Sequence, residues 1–121
     1  VPGDVLVGAA TQMSDPVHRL MTFDIVLAAE PDHLAATSYK GYDLAFAGLT
    51  GEGLELLDRA LAFEPTFLDG LIQRANARFF SGDVQGADSD LTRFEELGAP
   101  ADLASAYNAA GLRQQLDDAL G

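Results

Sequence analysis

Two Glu-Pro pairs, Glu30-Pro31 and Glu64-Pro65, constrain this chain more than any other feature of its sequence. A weaker mark, Pro100 in "ELGAP", follows the second pair at nearly the same distance. Proline cannot continue a helix, so these marks predict helix ends at a regular interval. A 34-residue period within 121 residues predicts stacked copies of one small unit. This 34-residue step from Pro31 to Pro65 is the repeat interval of the chain.

The segments between these marks share one plan. In residues 34–67, apolar positions recur at steps of three and four residues on both sides of a glycine-rich break, and residues 68–101 repeat this around "SGD". Each unit is therefore predicted to form a helix, a turn and a second helix. We expect residues 1–33 to be a degenerate or truncated unit and residues 102–121 to be a C-terminal capping helix, kinked or split at Gly111. The whole chain is expected to form one domain.

Polar residues stand at the predicted helix boundaries. Their side chains can accept hydrogen bonds from the amides that the first turn of a helix leaves unpaired. Gly98 is placed for a left-handed helix exit. The predicted capping residues are Ser14 or Asp15 before Pro16, Asp32, Asp83, and Thr66 together with Asp69.

This plan resembles the tetratricopeptide repeat (TPR) family, a 34-residue helix–turn–helix array. The residues that match the family's structural positions are Gly41, Leu57 and Pro65 in one unit, and Ala75, Ala87, Leu91 and Pro100 in the next. Lys40 and Arg74 replace leucine and Arg78 replaces tyrosine, and their long stems are expected to cover apolar surface with the charges outside. The resemblance implies an all-α fold, a right-handed superhelical stack of antiparallel helix hairpins (an α-solenoid) with a C-terminal capping helix.

Charge and composition exclude several classes of function. The net charge is −12 and Lys40 is the only lysine, so a nucleic-acid partner is not expected. The acidity indicates either a self-repelling solvated surface, which we favour, or an acidic docking face. No apolar run is long enough to insert into a membrane, and the N-terminus lacks the features of a signal peptide. Because Val1 stands where Met would begin a protein, we expect a segment to precede it.

No residue pattern predicts catalysis, a cofactor or a metal site, so an enzyme is not expected. His33 lies in "EPDH" and His18 near the start of a helix, and neither has partners at a ligand spacing. "GLTGEG" lacks the lysine of a phosphate-binding loop. Four carboxylates of the last predicted hairpin are expected to form a solvated stripe: Asp88, Asp90, Glu95 and Glu96.

The TPR resemblance implies a concave groove lined by the first helix of each hairpin, where peptides bind as extended or helical segments. The groove positions are Ala35, Ser38, Tyr42, Ala45 and Phe46 in one unit, and Asp69, Ile72, Asn76, Phe79 and Phe80 in the next. Adjacent residues on a helix point about 100° apart, so only one of Phe79 and Phe80 can occupy the centre of a buried stripe. Tyr42 and Phe46 are expected to form an aromatic wall, and Asn76 to hydrogen-bond a peptide. The alternative is that these aromatics only pack between hairpins.

The groove positions offer few basic residues, so an apolar or basic-amphipathic peptide is expected rather than an acidic one. Within the family, residues 15–100 are similar to the repeat domains of CcmH/NrfG-type cytochrome c biogenesis factors, in the stretches "SYKGYDLAF", "LLDRALAFEP" and "GDVQGADSDL". That similarity implies an N-terminal membrane anchor, a location on the extracytoplasmic side of a bacterial inner membrane, and a chaperone or adaptor role toward apocytochrome.

Two functions therefore compete. The first is a non-catalytic module that binds a protein or peptide partner, and the second is self-association of a larger membrane-anchored protein. In the second, the apolar end left by the incomplete N-terminal unit, residues 5–21, would pair with another copy as a homodimer.

Overall fold

A computed structural model describes residues 2–98 and 103–121, with the helical backbone alone at residues 103 and 104. These residues form seven α-helices and no strand. The helices are α1 (Gly3–Ala10), α2 (Pro16–Ala29), α3 (Leu34–Phe46), α4 (Thr50–Phe63), α5 (Leu68–Phe80), α6 (Val84–Glu96) and α7 (Leu103–Leu120). Consecutive helices pack as antiparallel hairpins, α1/α2, α3/α4 and α5/α6, and α7 packs against the last of them.

The helices form two layers. The inner helices α1, α3, α5 and α7 each contact the next inner helix, whereas the outer helices α2, α4 and α6 have no close backbone contact with one another in the described residues. Each outer helix instead packs between two inner helices. Because the inner helices lie closer together than the outer ones, the inner layer is the concave side of the stack.

The tightest helix contact lies between α3 and α4, and two glycines make it. A Cβ atom on Gly41 would lie 2.7 Å from the carbonyl oxygen of Gly53, and one on Gly53 would lie 2.6 Å from the amide nitrogen of Ala45. Real Cβ contacts are longer than this, so both positions require glycine. Glycine lowers helix stability by about 1 kcal/mol relative to alanine. The close packing of α3 against α4 outweighs this cost.

The buried apolar side chains form two separate clusters. The N-terminal cluster joins α1, α2 and α3 and consists of Val7, Ala10, Phe23, Val26 and Ala36. The C-terminal cluster joins α4 to α7, and its largest members are Leu61, Leu71, Ile72, Leu91, Phe94, Leu112 and Leu116. Ala75 and Ala87 belong to the second cluster and are completely buried, as is Leu57 of α4.

Two predicted helix caps are confirmed and two are wrong. Asp15 Oδ1 accepts a hydrogen bond from the Val17 amide, and Asp83 Oδ1 accepts one from the Gly86 amide. The cap of α3 is His33, not Asp32, because His33 Nδ1 accepts the Ala36 amide at 3.1 Å.

The expected cap of α5 is also replaced by a local turn. The N-cap residue of α5 is Phe67, whose side chain accepts no hydrogen bond, and Thr66 donates its hydroxyl to Glu64 Oε1 instead. That hydrogen bond lowers the pKa of Glu64. The Thr66 hydroxyl therefore stabilises the turn before α5 rather than its first helical turn.

The helix ends agree with the sequence in part. Gly98 has the left-handed φ of 105° predicted for it after α6. Gly48 and Gly82, separated by the repeat interval, have φ values of 97° and 95° at the hairpin turns after α3 and α5. The expected split at Gly111 is wrong, because α7 runs through it without interruption. Pro100 lies outside the described residues, and Pro65 lies exposed just after α4.

Candidate functional site

Three aromatic side chains form a row across the concave side, from α3 to α5. The rings of Tyr42 and Phe46 have centroids 4.6 Å apart, and those of Phe46 and Phe80 meet edge to face at 5.1 Å. Such pairs contribute stability beyond their buried area. Yet Phe46 is 47% exposed and Phe80 67% exposed. The row (Tyr42, Phe46 and Phe80) thus packs two hairpins together and still presents aromatic surface to solvent.

Two adjoining hollows lie beside this row. The larger hollow, of about 670 Å³, lies between α5 and α7, and its lining includes Asn76, Phe80, Tyr107, Asn108, Gly111 and Gln115. The smaller hollow, of about 190 Å³, involves α3, α5 and α7, and its lining includes Tyr39, Tyr42, Asp69, Gln73, Asn76 and Asn108. Asn76 and Asn108 line both, so the two hollows adjoin at this pair of residues.

The predicted groove positions differ in exposure. Phe46 and Phe80 are exposed, and Ala35, Tyr42, Ala45, Asp69 and Asn76 are half-buried. Ser38 does not line an accessible groove: it is fully buried and its hydroxyl donates to the Ala35 carbonyl oxygen, because this face of α3 lies inside the helix stack. Ile72 is mostly buried in the C-terminal cluster, yet it also lines the smaller hollow. Phe79 packs against that cluster, while its neighbour Phe80 points outward, as the angle between adjacent helical residues requires.

The sequence predicted that the Asn76 side chain hydrogen-bonds a peptide. In the structure, its amide group already donates two hydrogen bonds within the protein. Its Nδ2 donates to the Ile72 carbonyl oxygen at 2.9 Å and to Asn108 Oδ1 at 3.0 Å. The second bond joins α5 to α7 at the boundary between the two hollows. Asn76 therefore positions the wall of the site.

Sequence reasoning missed the contribution of α7, which it treated only as a polar cap. Tyr107 is 83% exposed, and with Gly111 and Gln115 it forms one side of the larger hollow. The signal was available, because the buried small residues Gly41, Ala75 and Ala109 follow one another at the repeat interval. The same spacing that defines the inner helices α3 and α5 therefore places α7 in the inner layer.

The expected solvated stripe on α6 is wrong for Asp90, which is only 4% exposed. The carboxylate accepts hydrogen bonds at 2.8 and 2.9 Å from Arg74 and at 2.9 Å from Arg78. Asp88 and Glu95 are also paired, both with Arg113 of α7, and these hydrogen bonds raise the pKa of Arg113. A helical wheel of α6 shows none of these partners, since each lies on another helix.

Lys40 and Arg74 stand where the family has leucine, and both form ion pairs with the preceding helix instead of extending into solvent. Lys40 pairs with Asp24 at 2.6 Å, and Arg74 pairs with Asp58 at 3.0 Å. Asp58 lies one repeat interval after Asp24, and Arg74 lies one repeat interval after Lys40. The same ion pair therefore recurs between successive hairpins. Burial alone would lower the pKa of Arg74, but its hydrogen bonds to Asp90 and Asp58 outweigh burial and raise it.

The two histidines take structural positions in the described residues. The ring of His33 is mostly buried, caps α3 through Nδ1, and contacts Asp4 Oδ1 of α1 at 2.8 Å through Nε2. His18 lies exposed beside Asp15. Within residues 2–98 and 103–121 there is no group of three or more His, Asp or Glu residues arranged to hold a metal ion. Over the same residues, no helix has the length and apolar character needed to cross a membrane.

These features define an all-α repeat fold with an aromatic concave site. Comparison with solved structures identifies the fold. No protein-family model matches the chain, and no curated protein matches it by sequence. Its structure is similar to one described as the first TPR of Spaghetti (RPAP3) bound to the HSP90 peptide SRMEEVD. The TM-score is 0.73 at 15% identity, over 96% of this chain and 94% of that one. The chain therefore has a TPR fold, an α-solenoid of stacked helix hairpins.

Proposed function

We propose that this chain is a protein-interaction module that binds a peptide or helical segment of a partner on its concave side. The observation that carries the proposal is the exposed part of the aromatic row, together with the hollow that opens beside Phe80. Exposed aromatic surface beside a cavity is typical of binding sites, because aromatic anchors supply much of the binding energy of an interface. The peptide in the structure of the Spaghetti (RPAP3) TPR supports this use of the fold.

The chemistry of the site favours a different peptide from SRMEEVD, which carries three acidic residues. No lysine or arginine is present among the described residues that line the two hollows, and Asp69 supplies a carboxylate. An acidic segment would be repelled by this site and by the net charge of −12. An apolar or basic-amphipathic segment is therefore the proposed partner.

Selection of a random heptapeptide phage library on the wild-type chain would test this proposal. We expect enriched peptides with a large apolar residue, and we expect Phe80→Ala or Phe46→Ala to weaken their binding about tenfold or more, measured by fluorescence anisotropy. Phe63→Ala is the matched control, because Phe63 is similarly exposed but lies on the outer helix α4. Failure to enrich any peptide, or binding that ignores both groove substitutions, would contradict the proposal.

Gly111 allows the same test without removing a packing contact. A Cβ atom at Gly111 would meet no atom within 4 Å, so Gly111→Leu fills the larger hollow without a clash at Cβ. Gly51 is equally open but lies on α4, outside both hollows, and Gly51→Leu is its control. Binding should fall with the first substitution and persist with the second.

The finer role in cytochrome c biogenesis rests only on the resemblance of three short stretches of residues 15–100 to that group of TPR domains. In that role, the peptide would be the C-terminal segment of an apocytochrome, presented on the extracytoplasmic side of a bacterial inner membrane. The same anisotropy assay, with such segments as probes, would test it. Binding no stronger than that of scrambled segments would count against this role.

Self-association remains the second candidate, and one surface favours it. Val17, Met21 and Ile25 recur at steps of four residues on α2 and are 56–62% exposed. The nearby charges are neutralised, since Arg19 pairs with Asp43 and Asp24 pairs with Lys40. In a chain of net charge −12, a second copy meets less repulsion at such a face than at one with unpaired carboxylates.

Sedimentation velocity over a range of concentrations would test self-association. We expect a weak, concentration-dependent dimer that Met21→Glu dissociates at least about tenfold more readily, since a charge would be buried at the contact. Phe63→Glu introduces the same charge at an exposed apolar residue of α4 and should leave the dimer intact. A wild-type chain that is monomeric at every concentration would exclude this candidate.

A further inference from the structure

The lining of the smaller hollow includes Gln73, which buries a side-chain oxygen that no described residue pairs. Gln73 is only 6% exposed, yet its Oε1 has no hydrogen-bond partner in the described residues. Burying a polar atom without a partner destabilises a protein, and native structures seldom keep one without a reason. Gln73 lines the smaller hollow, and rotation of its side-chain amide would turn this buried oxygen toward a donor that enters the hollow.

The other walls of the smaller hollow suit a cation. Asp69 lies one helical turn before Gln73 on α5 and adds a carboxylate. Tyr39 and Tyr42 add aromatic walls, which attract cations as well as apolar groups. Burial raises the pKa of Tyr42, so its phenol stays neutral and does not add a negative charge. No lysine or arginine of the described chain is among the lining residues.

We infer that the smaller hollow is a subsite for one basic side chain, arginine or lysine, of the bound partner segment. This inference rests on the proposed function and adds to it the residue type that specificity requires. The guanidinium or ammonium group donates to Gln73 Oε1 and faces the Asp69 carboxylate. The neighbouring larger hollow takes an apolar side chain of the same segment beside Phe80. The partner motif is thus a basic residue and a large apolar residue close together in sequence.

Paired changes in the protein and in the peptide would test the subsite. The probe is the heptapeptide enriched from the phage library, and its variant carries citrulline, or norleucine for lysine, in place of the basic residue. We expect this neutral variant to bind wild type about tenfold more weakly. Asp69→Asn and Gln73→Met should each weaken the basic peptide similarly, and each should largely abolish the difference between the two peptides. Arg59→Gln, a charge change on the outer helix α4, is the control.

A second measurement separates this inference from the proposed function. Gln73→Met replaces the unsatisfied amide by an apolar chain of similar length, so the free protein should melt at an equal or higher temperature while losing the preference for the basic peptide. If peptides depend on Phe46 and Phe80 but ignore Asp69 and Gln73, the subsite is wrong and the proposed function stands. If no peptide is enriched, Nα-acetyl-arginine amide is titrated by NMR. A shift of the Gln73 side-chain amide that acetyl-citrulline amide does not produce supports the subsite, and its absence overturns it.

Discussion

Replacing Asp90 by leucine is expected to lower the free energy of unfolding by about 3 kcal/mol, measured by urea denaturation. The carboxylate is 4% exposed and shared by Arg74 and Arg78. Its loss leaves the guanidinium of Arg78 mostly buried with only distant partners, because Asp58 and Asp83 lie 3.9 Å away. Breaking a buried ion pair from one side is costly since the remaining charge loses its compensation.

Two further variants show whether the lower free energy of unfolding comes from the missing ion pair or from the charge that is left unpaired. Asp118→Leu makes the same chemical change at an exposed position of α7 and should alter stability by about 0.5 kcal/mol or less. The double variant Arg78→Leu/Asp90→Leu should regain most of the stability. The preceding hairpin holds Leu44 and Leu56 at the equivalent positions, one repeat interval earlier. An Asp90→Leu variant within about 1 kcal/mol of wild type, the typical cost of one ordinary hydrogen bond, would contradict the assignment.

Gly53→Ala is expected to destabilise the chain by about 2 kcal/mol, although alanine is the better helix former by about 1 kcal/mol. The added methyl group would meet the backbone of α3 at Gly41 and Ala45, and two packed helix backbones cannot move apart without disturbing the rest of the stack. The clash therefore outweighs the gain in helix propensity. Thermal and urea unfolding followed by circular dichroism would measure the difference.

The control for Gly53→Ala lies two residues away on the same helix. Gly51 is exposed and a Cβ there would meet no atom within 4 Å, so Gly51→Ala should be neutral or stabilising by up to about 1 kcal/mol. Opposite signs for the two glycines are the expected result. Equal effects at both would show that helix propensity alone sets the outcome and that α3 and α4 are not in backbone contact.

The sequence predicted the repeat architecture because its determinants are local. Proline, glycine and an apolar stripe act within one helix or one turn, and the repeat interval between Pro31 and Pro65 shows that such elements recur. The residues that cap the helices were harder to predict, since neighbouring side chains compete for the same backbone amides. Asp32 and His33 both precede α3, and His33 is the cap because its ring also reaches Asp4 of α1.

The site was harder to predict because its determinants lie on different helices. Nothing within α6 shows that Asp90 is buried, and nothing within α5 shows that Gln73 lines a hollow. The recurring pairs Asp24 with Lys40 and Asp58 with Arg74 were detectable, since both partners shift together by the repeat interval. Phe46 and Phe80 share that spacing too, so the exposed row could be anticipated, whereas the polar residues of α7 led to its interpretation as a cap alone.

The two buried clusters have no residue in common, so each stabilises the other through the contacts between neighbouring helices, as in other repeat proteins. The close contact of α3 with α4 at Gly41 and Gly53 lies between the two clusters and joins them. Phe46 lies on α3 and Phe80 on α5, in adjacent hairpins. A change in the angle between these hairpins would alter the span between the two rings, so the curvature of the stack affects how the domain holds a partner.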